Sequence, residues 1–562
     1  LTSHHARPNH EQHLTLKMAK LKERRRCGHQ TGARTPRRLP NTCNQLLRFG
    51  SSSCPGLKAP TPRDETEHDG TSYSYSQLCE RWLRVAAGLQ RQGFGPGQLA
   101  CVHAANSGDL LLAIGGAFFA GGAIIFSKAI MTPREFRKQI EEVCPTLIFS
   151  DAANSNKCKG MLDLVPSVKN VIIFGKAEGL VSFSELLQSG QPGEFHMPRG
   201  ANPDTMMGAF YSSGTTGVAK RVAISHRQWI TQLLCTREVA SDQLGQRDLV
   251  LCAAPLSHIS GLWLCCGCLA MGVPLLLMSS FDPALLVPAV RRHRATTILI
   301  YPSYLKSLID SAPSDAFESV DKVFIGGSTA PAALLREAQV KFGFKFISQG
   351  YGLTEACGSV TSTGLKTCHF GSVGKPVPMV QIKVVDSKTG RKLGPGEKGQ
   401  ICVKAPFNFM GYVNKARETA EVYDDEGFVQ TGDVGFYDEQ GDVYVTGRLK
   451  ELIKCMDLQI EPAEIERLLL QDPAVQEALV AGVPHERFGD AVRAFVVLHQ
   501  GRAPDETTRE RLRRTVADAL PSHEHLHGGV EFVDHIPKSE TGKSIRAALR
   551  DAYLQRQVSM RQ

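Results

Sequence analysis

No stretch of the 562-residue chain is long and apolar enough to predict a membrane span. The two most apolar stretches, residues 110–126 and 261–278, are short for a span and are interrupted by glycine. Gly121 and Gly122 in the first stretch, and Gly272 in the second, predict a buried helix followed by a buried strand. We therefore expect no transmembrane segment.

Cysteine spacing typical of metal sites is also missing. The 16 cysteines do not form two C-x-x-C motifs in succession and show no Cys/His metal spacing, which argues against zinc-finger sites. Cys265, Cys266 and Cys268 stand in an apolar segment and are interpreted as small buried hydrophobic residues. No apolar leader opens the chain, so we expect free thiols in the cytoplasm. The chain ends in Ser559-Met-Arg-Gln562, unlike the peroxisomal tripeptide, but peroxisomal and mitochondrial locations stay open as alternatives.

The net charge of +9 does not predict a nucleic-acid-binding surface on the folded part of the chain. Residues 1–63 hold 13 Lys and Arg against 2 Asp and Glu, and the rest holds 52 against 54. The excess is thus confined to the beginning of the chain, which is predicted to be a disordered basic tail or a non-native extension. We expect no nucleic-acid partner.

From residue 71 onwards, short apolar strands alternate with helical patterns, which predicts an α/β fold with parallel-rich sheets. Past residue 371 the pattern becomes glycine-rich and β-rich, which predicts a small barrel-like or antiparallel subdomain. A small α+β domain is predicted to follow. The expected boundaries are 64–449 for a large domain, short at its beginning and therefore with an uncovered sheet edge, and 450–562 for a small mobile domain.

One segment between two predicted strands has the composition of a phosphate-binding loop. The segment is Tyr211-Ser-Ser-Gly-Thr-Thr-Gly-Val-Ala-Lys220. It supplies side-chain hydroxyls and one cation, and its glycines let the backbone N–H groups approach an anion closely. The P-loop spacing is absent, so this is not the common nucleotide motif. Taken alone, the segment is equally compatible with a plain surface turn.

Six further motifs follow in a fixed order, at residues 255–258, 326–331, 349–355, 431–433, 447–454 and 537–543. With the loop, they resemble the adenylate-forming enzymes, which include acyl-CoA synthetases, 4-coumarate–CoA ligases, firefly-type luciferases and peptide-synthetase adenylation domains. The resemblance covers about residues 71–555. It implies an enzyme that converts a carboxylic acid and ATP into an acyl-adenylate, then transfers the acyl group to CoA.

The resemblance also implies which residues hold ATP and Mg²⁺. Thr354 would bind phosphate, Tyr351 would stack on adenine, and Asp433 would accept hydrogen bonds from the ribose hydroxyls, assisted by Arg448. Glu355 would hold Mg²⁺, with Thr216 as a further ligand. The other residues that it assigns to the nucleotide are Ser212, Ser213, Gly214, Thr215, Thr216, Gly217, Lys220, Gly327, Ser328, Gly350 and Gly352.

Two positions of the small domain are implied as well. In one, Lys543 bridges the carboxylate and the α-phosphate, with His258 beside the acyl carboxylate. In the other, Lys454 and Gln459 face the adenylate during thiol transfer. Lys450 stands at the expected hinge.

The sequence departs from the family pattern at two positions of consequence. Arg221 replaces a glycine next to Lys220, which adds bulk and charge. Asp457 replaces a glycine where the pantetheine arm of CoA passes. We expect intact adenylation and a weakened or altered thioester step.

Two other readings stay open: a luciferase-like oxygenase, and a nucleotide-binding relative without catalysis. The acid itself cannot be inferred from the sequence, and either a monomer or a homodimer is compatible with it.

Overall fold

A computed structural model describes residues 55–59, 71–129, 131–198, 202–212, 220–241, 243–328, 330–364, 370–456, 458–539 and 542–561. All of them belong to one compact unit, Pro40–Gln562. The helices of these residues are Tyr75–Arg91, Gly108–Ala120, Pro133–Val143, Ser155–Leu164, Phe183–Ser189, His226–Ala240, Ile259–Met271, Pro283–His293, Pro302–Ser311, Ala332–Phe342, Ala416–Val422, Pro462–Leu469, Glu506–Ala519 and Arg546–Arg561.

Two large parallel-rich sheets form the body of the molecule, which confirms the predicted fold class. The eight-stranded sheet runs in the order Gly411–Tyr412, Arg221–Ser225, Met206–Tyr211, Ala123–Phe126, Leu99–His103, Leu147–Asp151, Asn170–Phe174 and Val181–Ser182. The seven-stranded sheet runs in the order Phe346–Gln349, Lys322–Ile325, Thr297–Ile300, Val250–Cys252, Leu275–Leu277, Pro55–Ala59 and Thr71–Ser74.

The later strands form smaller sheets. An antiparallel sheet, which is one of the two predicted alternatives for this part of the chain, consists of Gln381–Val385, Gly399–Lys404, Val429–Tyr437 and Val443–Arg448. Short pairs join Gly352–Leu353 to Gly358–Ser359, and Thr361–Ser362 to Lys375–Pro376. The last sheet contains Ile453–Cys455, Leu458–Ile460, Val475–His485, Gly489–Leu498 and Gly529–Phe532.

The strand Pro55–Ala59 lies inside the segment 1–63 that was predicted to be disordered, so that prediction is wrong for these five residues. The strand pairs in parallel with Leu275–Leu277 and antiparallel with Thr71–Ser74. It thus extends the sheet edge that was expected to be uncovered. The rest of the predicted tail lies outside the described residues.

The two most apolar stretches form helix-then-strand units, as predicted. Gly108–Ala120 precedes Ala123–Phe126, and Ile259–Met271 precedes Leu275–Leu277. Close packing explains the glycines of the first helix, because a β-carbon at Gly115 would lie only 2.0 Å from Nε1 of Trp82. Within the described part of the chain, no helix is long and apolar enough to cross a membrane.

Arg221, which directly follows the phosphate-loop segment in the chain, is buried. It begins the strand Arg221–Ser225, its side chain is 4% exposed, and its guanidinium pairs with the half-exposed Glu142 on the helix Pro133–Val143. Its Nη1 has no hydrogen-bond partner among the described residues. The substitution for glycine therefore adds an ion pair that ties the loop's second strand to a neighbouring helix.

We expect Glu142→Ala to lower the free energy of unfolding by about 1–3 kcal/mol, because it leaves the buried guanidinium uncompensated. Arg221→Met should lower the free energy of unfolding by less, because it removes the buried charge itself and leaves Glu142 half-exposed to water. Urea unfolding of the purified variants measures both.

Glu141→Ala is the matched control, since Glu141 pairs with Arg137 on the exposed face of the same helix. Its effect should stay below about 1 kcal/mol. Equal losses for Glu141→Ala and Glu142→Ala would contradict the assigned role of the ion pair.

Candidate active site

A cleft of about 610 Å³ lies at the carboxyl ends of the seven-stranded sheet. The segments that follow three of its strands supply Tyr301, Gly326 and Gly350, while the antiparallel sheet supplies Asp433 and Arg448 on the other side. In open α/β sheets, ligands bind at this end of the strands. The cleft is therefore the candidate active site.

The carboxylate of Asp433 is the most enclosed charge of the cleft, with the residue 4% exposed. The Tyr351 hydroxyl donates to its Oδ2 at 2.6 Å, and Arg448 Nε lies 2.9 Å from its Oδ1. Asp433 and Arg448 are direct cross-strand neighbours. Burial, reinforced by Asp433, raises the pKa of Tyr351 well above its usual value, so the phenol keeps its proton.

Glu355 belongs to a second polar group. The Tyr412 hydroxyl donates to Glu355 Oε1 at 3.0 Å, and Lys220 Nζ lies 4.5 Å from the centre of the Tyr412 ring. Burial raises the pKa of Glu355. Sequence reasoning missed Tyr412, because its strand, Gly411–Tyr412, pairs with the distant strand that begins at Arg221.

His258 caps the helix Ile259–Met271 and lines the cleft as a neutral imidazole. Its Nδ1 accepts from the backbone N–H of Ser260 at 3.2 Å, so the proton belongs on Nε2. Ser260 Oγ also lies 2.6 Å from the Tyr301 hydroxyl oxygen. Burial, followed by the charges of Lys128 and Lys543, lowers the pKa of His258 to about 4.

Ser260 and Tyr301 were also missed from the sequence. Ser260 stands in the first turn after His258, a position where a serine is unremarkable. Tyr301 follows a strand and carries no motif that distinguishes it from a core residue.

Lys543 reaches the cleft from the small domain. Burial, followed by the nearby charge of Arg448, lowers the pKa of its ammonium, which Asp433 partly offsets. Gly542 lets this loop lie against the helix Pro302–Ser311: its φ is +69°, and a β-carbon there would lie 2.0 Å from Ser303 Oγ.

A separate set of contacts joins the small domain to the antiparallel sheet. Glu461 accepts from Lys398 Nζ at 3.2 Å and from Thr446 Oγ1 at 3.1 Å.

The structure brings most of the predicted residues together. The cleft is lined by Ser212, Lys220, His258, Gly327, Gly350, Tyr351, Gly352, Thr354, Glu355, Asp433, Arg448, Lys450 and Lys543. Ser328 is exposed and does not line it. Lys454 and Gln459 face each other across an exposed hairpin and do not line it either. The predicted residues Ser213, Gly214, Thr215, Thr216 and Gly217, together with Asp457, lie outside the described residues.

The family model of the AMP-binding enzymes matches residues 58–413 of the chain, and that of the AMP-binding enzyme C-terminal domain matches residues 464–543. The chain belongs to the AMP-binding enzyme family. This confirms the predicted superfamily of adenylate-forming enzymes and the predicted class of enzyme, an acid–thiol ligase.

Curated relatives of this AMP-binding enzyme include two kinds of protein. The chain is 32% identical to 4-coumarate–CoA ligase 2 of Nicotiana tabacum, over 85% of the chain and 89% of the relative. It is 29% identical to a luciferin 4-monooxygenase of Nipponoluciola cruciata, over 86% and 89%. Among solved structures, ATP-bound MatB from Rhodopseudomonas palustris superposes with a TM-score of 0.81 at 26% identity, over 91% of this chain and 99% of that one.

The depressed pKa of His258 predicts how acid affects stability. Above about pH 6.5 the imidazole is neutral in the folded and the unfolded chain, so it makes no difference to stability. Between about pH 6.5 and 4 the unfolded chain takes up a proton that the folded chain resists, and stability falls. The melting temperature of His258→Gln should therefore fall less than that of the wild type as the pH is lowered over this range.

His485→Gln, at an exposed position, serves as the control and should follow the wild type. Thermal unfolding between pH 4 and 7 makes the comparison. If His258→Gln and His485→Gln give the same acid dependence, His258 is not held neutral by its surroundings.

Proposed function

We propose that this enzyme activates a carboxylic acid with ATP and transfers the acyl group to CoA. The acid's carboxylate oxygen attacks the α-phosphorus and displaces pyrophosphate, which gives an acyl-adenylate. The CoA thiol then attacks the acyl carbon, and AMP leaves. The observation that carries the proposal is the convergence of Lys543, His258, Glu355 and the Asp433–Arg448 pair in one cleft.

The nucleoside fits the Asp433 group. A buried carboxylate is a suitable acceptor for the two ribose hydroxyls, and Arg448 holds it in place. Tyr351 supplies an aromatic surface for adenine between Gly350 and Gly352, whose backbones allow close approach. Ser212 and Lys220, at the two ends of the phosphate-loop segment, are assigned to the phosphates, with Thr354 as a further hydroxyl donor.

Glu355 is the proposed ligand for Mg²⁺. Mg²⁺ usually keeps several waters and binds through one or two carboxylates together with substrate phosphates, so the Glu355 carboxylate beside the residues assigned to the phosphates fits that chemistry. Tyr412 holds one carboxylate oxygen and leaves the other for the ion. When bound, the ion neutralises charge on the phosphate oxygens.

Lys543 and His258 are assigned to the adenylation step. That step brings a carboxylate against a phosphate, and the repulsion between these anions must be offset by oriented donors. Lys543 supplies an ammonium that is partly removed from water, and His258 Nε2–H supplies a neutral donor to the carboxylate. A neutral imidazole suits this role because it donates a hydrogen bond without transferring a proton, so the carboxylate keeps the negative charge with which it attacks.

The thiol step requires a second arrangement of the small domain. Lys454 and Gln459 lie on the exposed hairpin while Lys543 lies in the cleft, so both sets cannot face the adenylate together. We propose a rotation near Lys450 that exchanges them. The contacts from Glu461 to Lys398 and Thr446 would break in that rotation.

Separate assays of the two half-reactions test this division. Lys543→Ala should lower acid-dependent ATP–pyrophosphate exchange by about 100-fold or more, because it removes a donor to developing charge. It should leave thioester formation from supplied acyl-adenylate unchanged. Lys454→Ala should do the reverse.

Lys538→Ala is the matched control, since Lys538 lies in the same loop region but pairs with Glu477. It should leave both half-reactions unchanged. Unaltered exchange in Lys543→Ala would refute the role assigned to Lys543. If neither the wild type nor any variant showed ATP–pyrophosphate exchange with any acid, the proposed function would be refuted.

Asp457 allows a second test. We expect Asp457→Gly to raise the rate of thioester formation several-fold without changing exchange, because it removes a side chain and a negative charge from the path of CoA. Stopped or quenched assays with preformed acyl-adenylate measure the effect, with the exposed Glu486→Gly as control. A thioester rate that does not respond to Asp457→Gly would contradict the interpretation.

The luciferase-like reaction is the second candidate, favoured by the luciferin 4-monooxygenases among the relatives. Light emission from luciferin, ATP and oxygen, without CoA, would decide for it.

A further inference from the structure

The charges that line the cleft are gathered at one end of it. Lys220, Tyr412 and Glu355 are linked by direct contacts, as are Asp433 and Arg448. Among the described residues, the charged side chains that line the cleft are Lys220, Glu355, Glu418, Glu421, Asp433, Arg448, Lys450 and Lys543. They come from the loop segment, the turn Thr354–Ala356, the helix Ala416–Val422, the antiparallel sheet and the small domain.

The other end of the cleft runs between the helices His226–Ala240 and Ile259–Met271, and its described lining is uncharged. The second helix leads away from His258 with Trp263, Gly267 and Met271 at intervals of four residues, so these line one helical face. The remaining wall is mostly apolar and includes Val239, Ala240, Leu244, Leu264, Leu299 and Phe324.

The polar side chains at this end are mainly engaged with each other or with the backbone. Trp263 Nε1 donates to Thr236 Oγ1 at 2.8 Å, and Thr236 Oγ1 donates in turn to the Gln232 carbonyl at 2.9 Å. Gln232 Nε2 donates to the Ser359 carbonyl at 2.9 Å. Among the described lining residues, the buried side-chain atom left without a partner is Gln232 Oε1, an acceptor.

We propose that the acid is a monocarboxylic acid with an uncharged, mainly apolar body that lies along the Trp263–Gly267–Met271 face. This inference rests on the proposed function. Among the described residues of this end, a second carboxylate would meet no cation, and the remaining acceptor of Gln232 would repel it. An aliphatic or aromatic body would instead gain from leaving water.

A panel of matched acids tests the inference with the full-length wild-type enzyme in ATP–pyrophosphate exchange. Octanoate is compared with octanedioate, and benzoate with benzene-1,4-dicarboxylate, so that each pair differs by one carboxylate. We expect kcat/KM for at least one of the two monoacids to exceed that of its diacid by about 100-fold or more. Equal or higher values for both diacids would overturn the inference while leaving the proposed function intact.

Exchange with none of the four acids overturns the inference, and a broader survey of acids then decides whether the proposed function also fails. These wild-type measurements do not depend on the folding of any variant.

A designed cation provides a second, independent measurement. Gly267→Lys should raise the ratio of octanedioate to octanoate activity at least 10-fold, because it supplies the missing partner for a second carboxylate. A side chain has room to begin there, since the nearest described atom to a β-carbon at Gly267, Thr236 Cγ2, would lie 3.6 Å away. Leu234→Lys, on the exposed side of the neighbouring helix, is the control. An unchanged ratio in a folded Gly267→Lys enzyme would contradict the assigned position of the acid's body.

Discussion

The buried carboxylate of Asp433 is the contact on which the cleft depends. It joins Tyr351, which follows the seven-stranded sheet, to Arg448, on the next strand of the antiparallel sheet. A carboxylate this enclosed is tolerated only because both oxygens have partners. The same charge partly offsets the cost of burying the Lys543 ammonium beside Arg448. One anion therefore stabilises two cations from different domains in the same cleft.

The division of the cleft follows from the same constraint. Each charged group near Asp433 is stabilised by another charged or polar group, so charges accumulate where partners already exist. Between the two helices beyond His258, the side chains of Trp263 and Thr236 are engaged in internal hydrogen bonds, Gln232 Oε1 is left as an acceptor, and the surface is mostly apolar. A ligand that spans the cleft must match both ends.

The departures from the family pattern gain different meanings in three dimensions. Arg221 adds bulk and charge next to Lys220 in the sequence, but its guanidinium is buried and paired with Glu142, and Arg221 does not line the cleft. Its effect is on the attachment of the loop's strand to a helix. The Lys454 side chain is exposed while Lys543 lines the cleft, so the two lysines that the family pattern assigns to the adenylate have different surroundings in this structure.

The sequence alone determined the superfamily, the α/β class and the helix-then-strand units at Gly121 and Gly272, because these depend on motifs and periodicities among near neighbours. It also identified Asp433, Glu355, His258 and Lys543. Only the tertiary structure decided that Tyr412 holds Glu355, that Ser260 and Tyr301 stand behind His258, and that Lys543 rather than Lys454 occupies the cleft. These contacts join residues far apart in the chain, and their formation depends on packing and burial that no local pattern encodes.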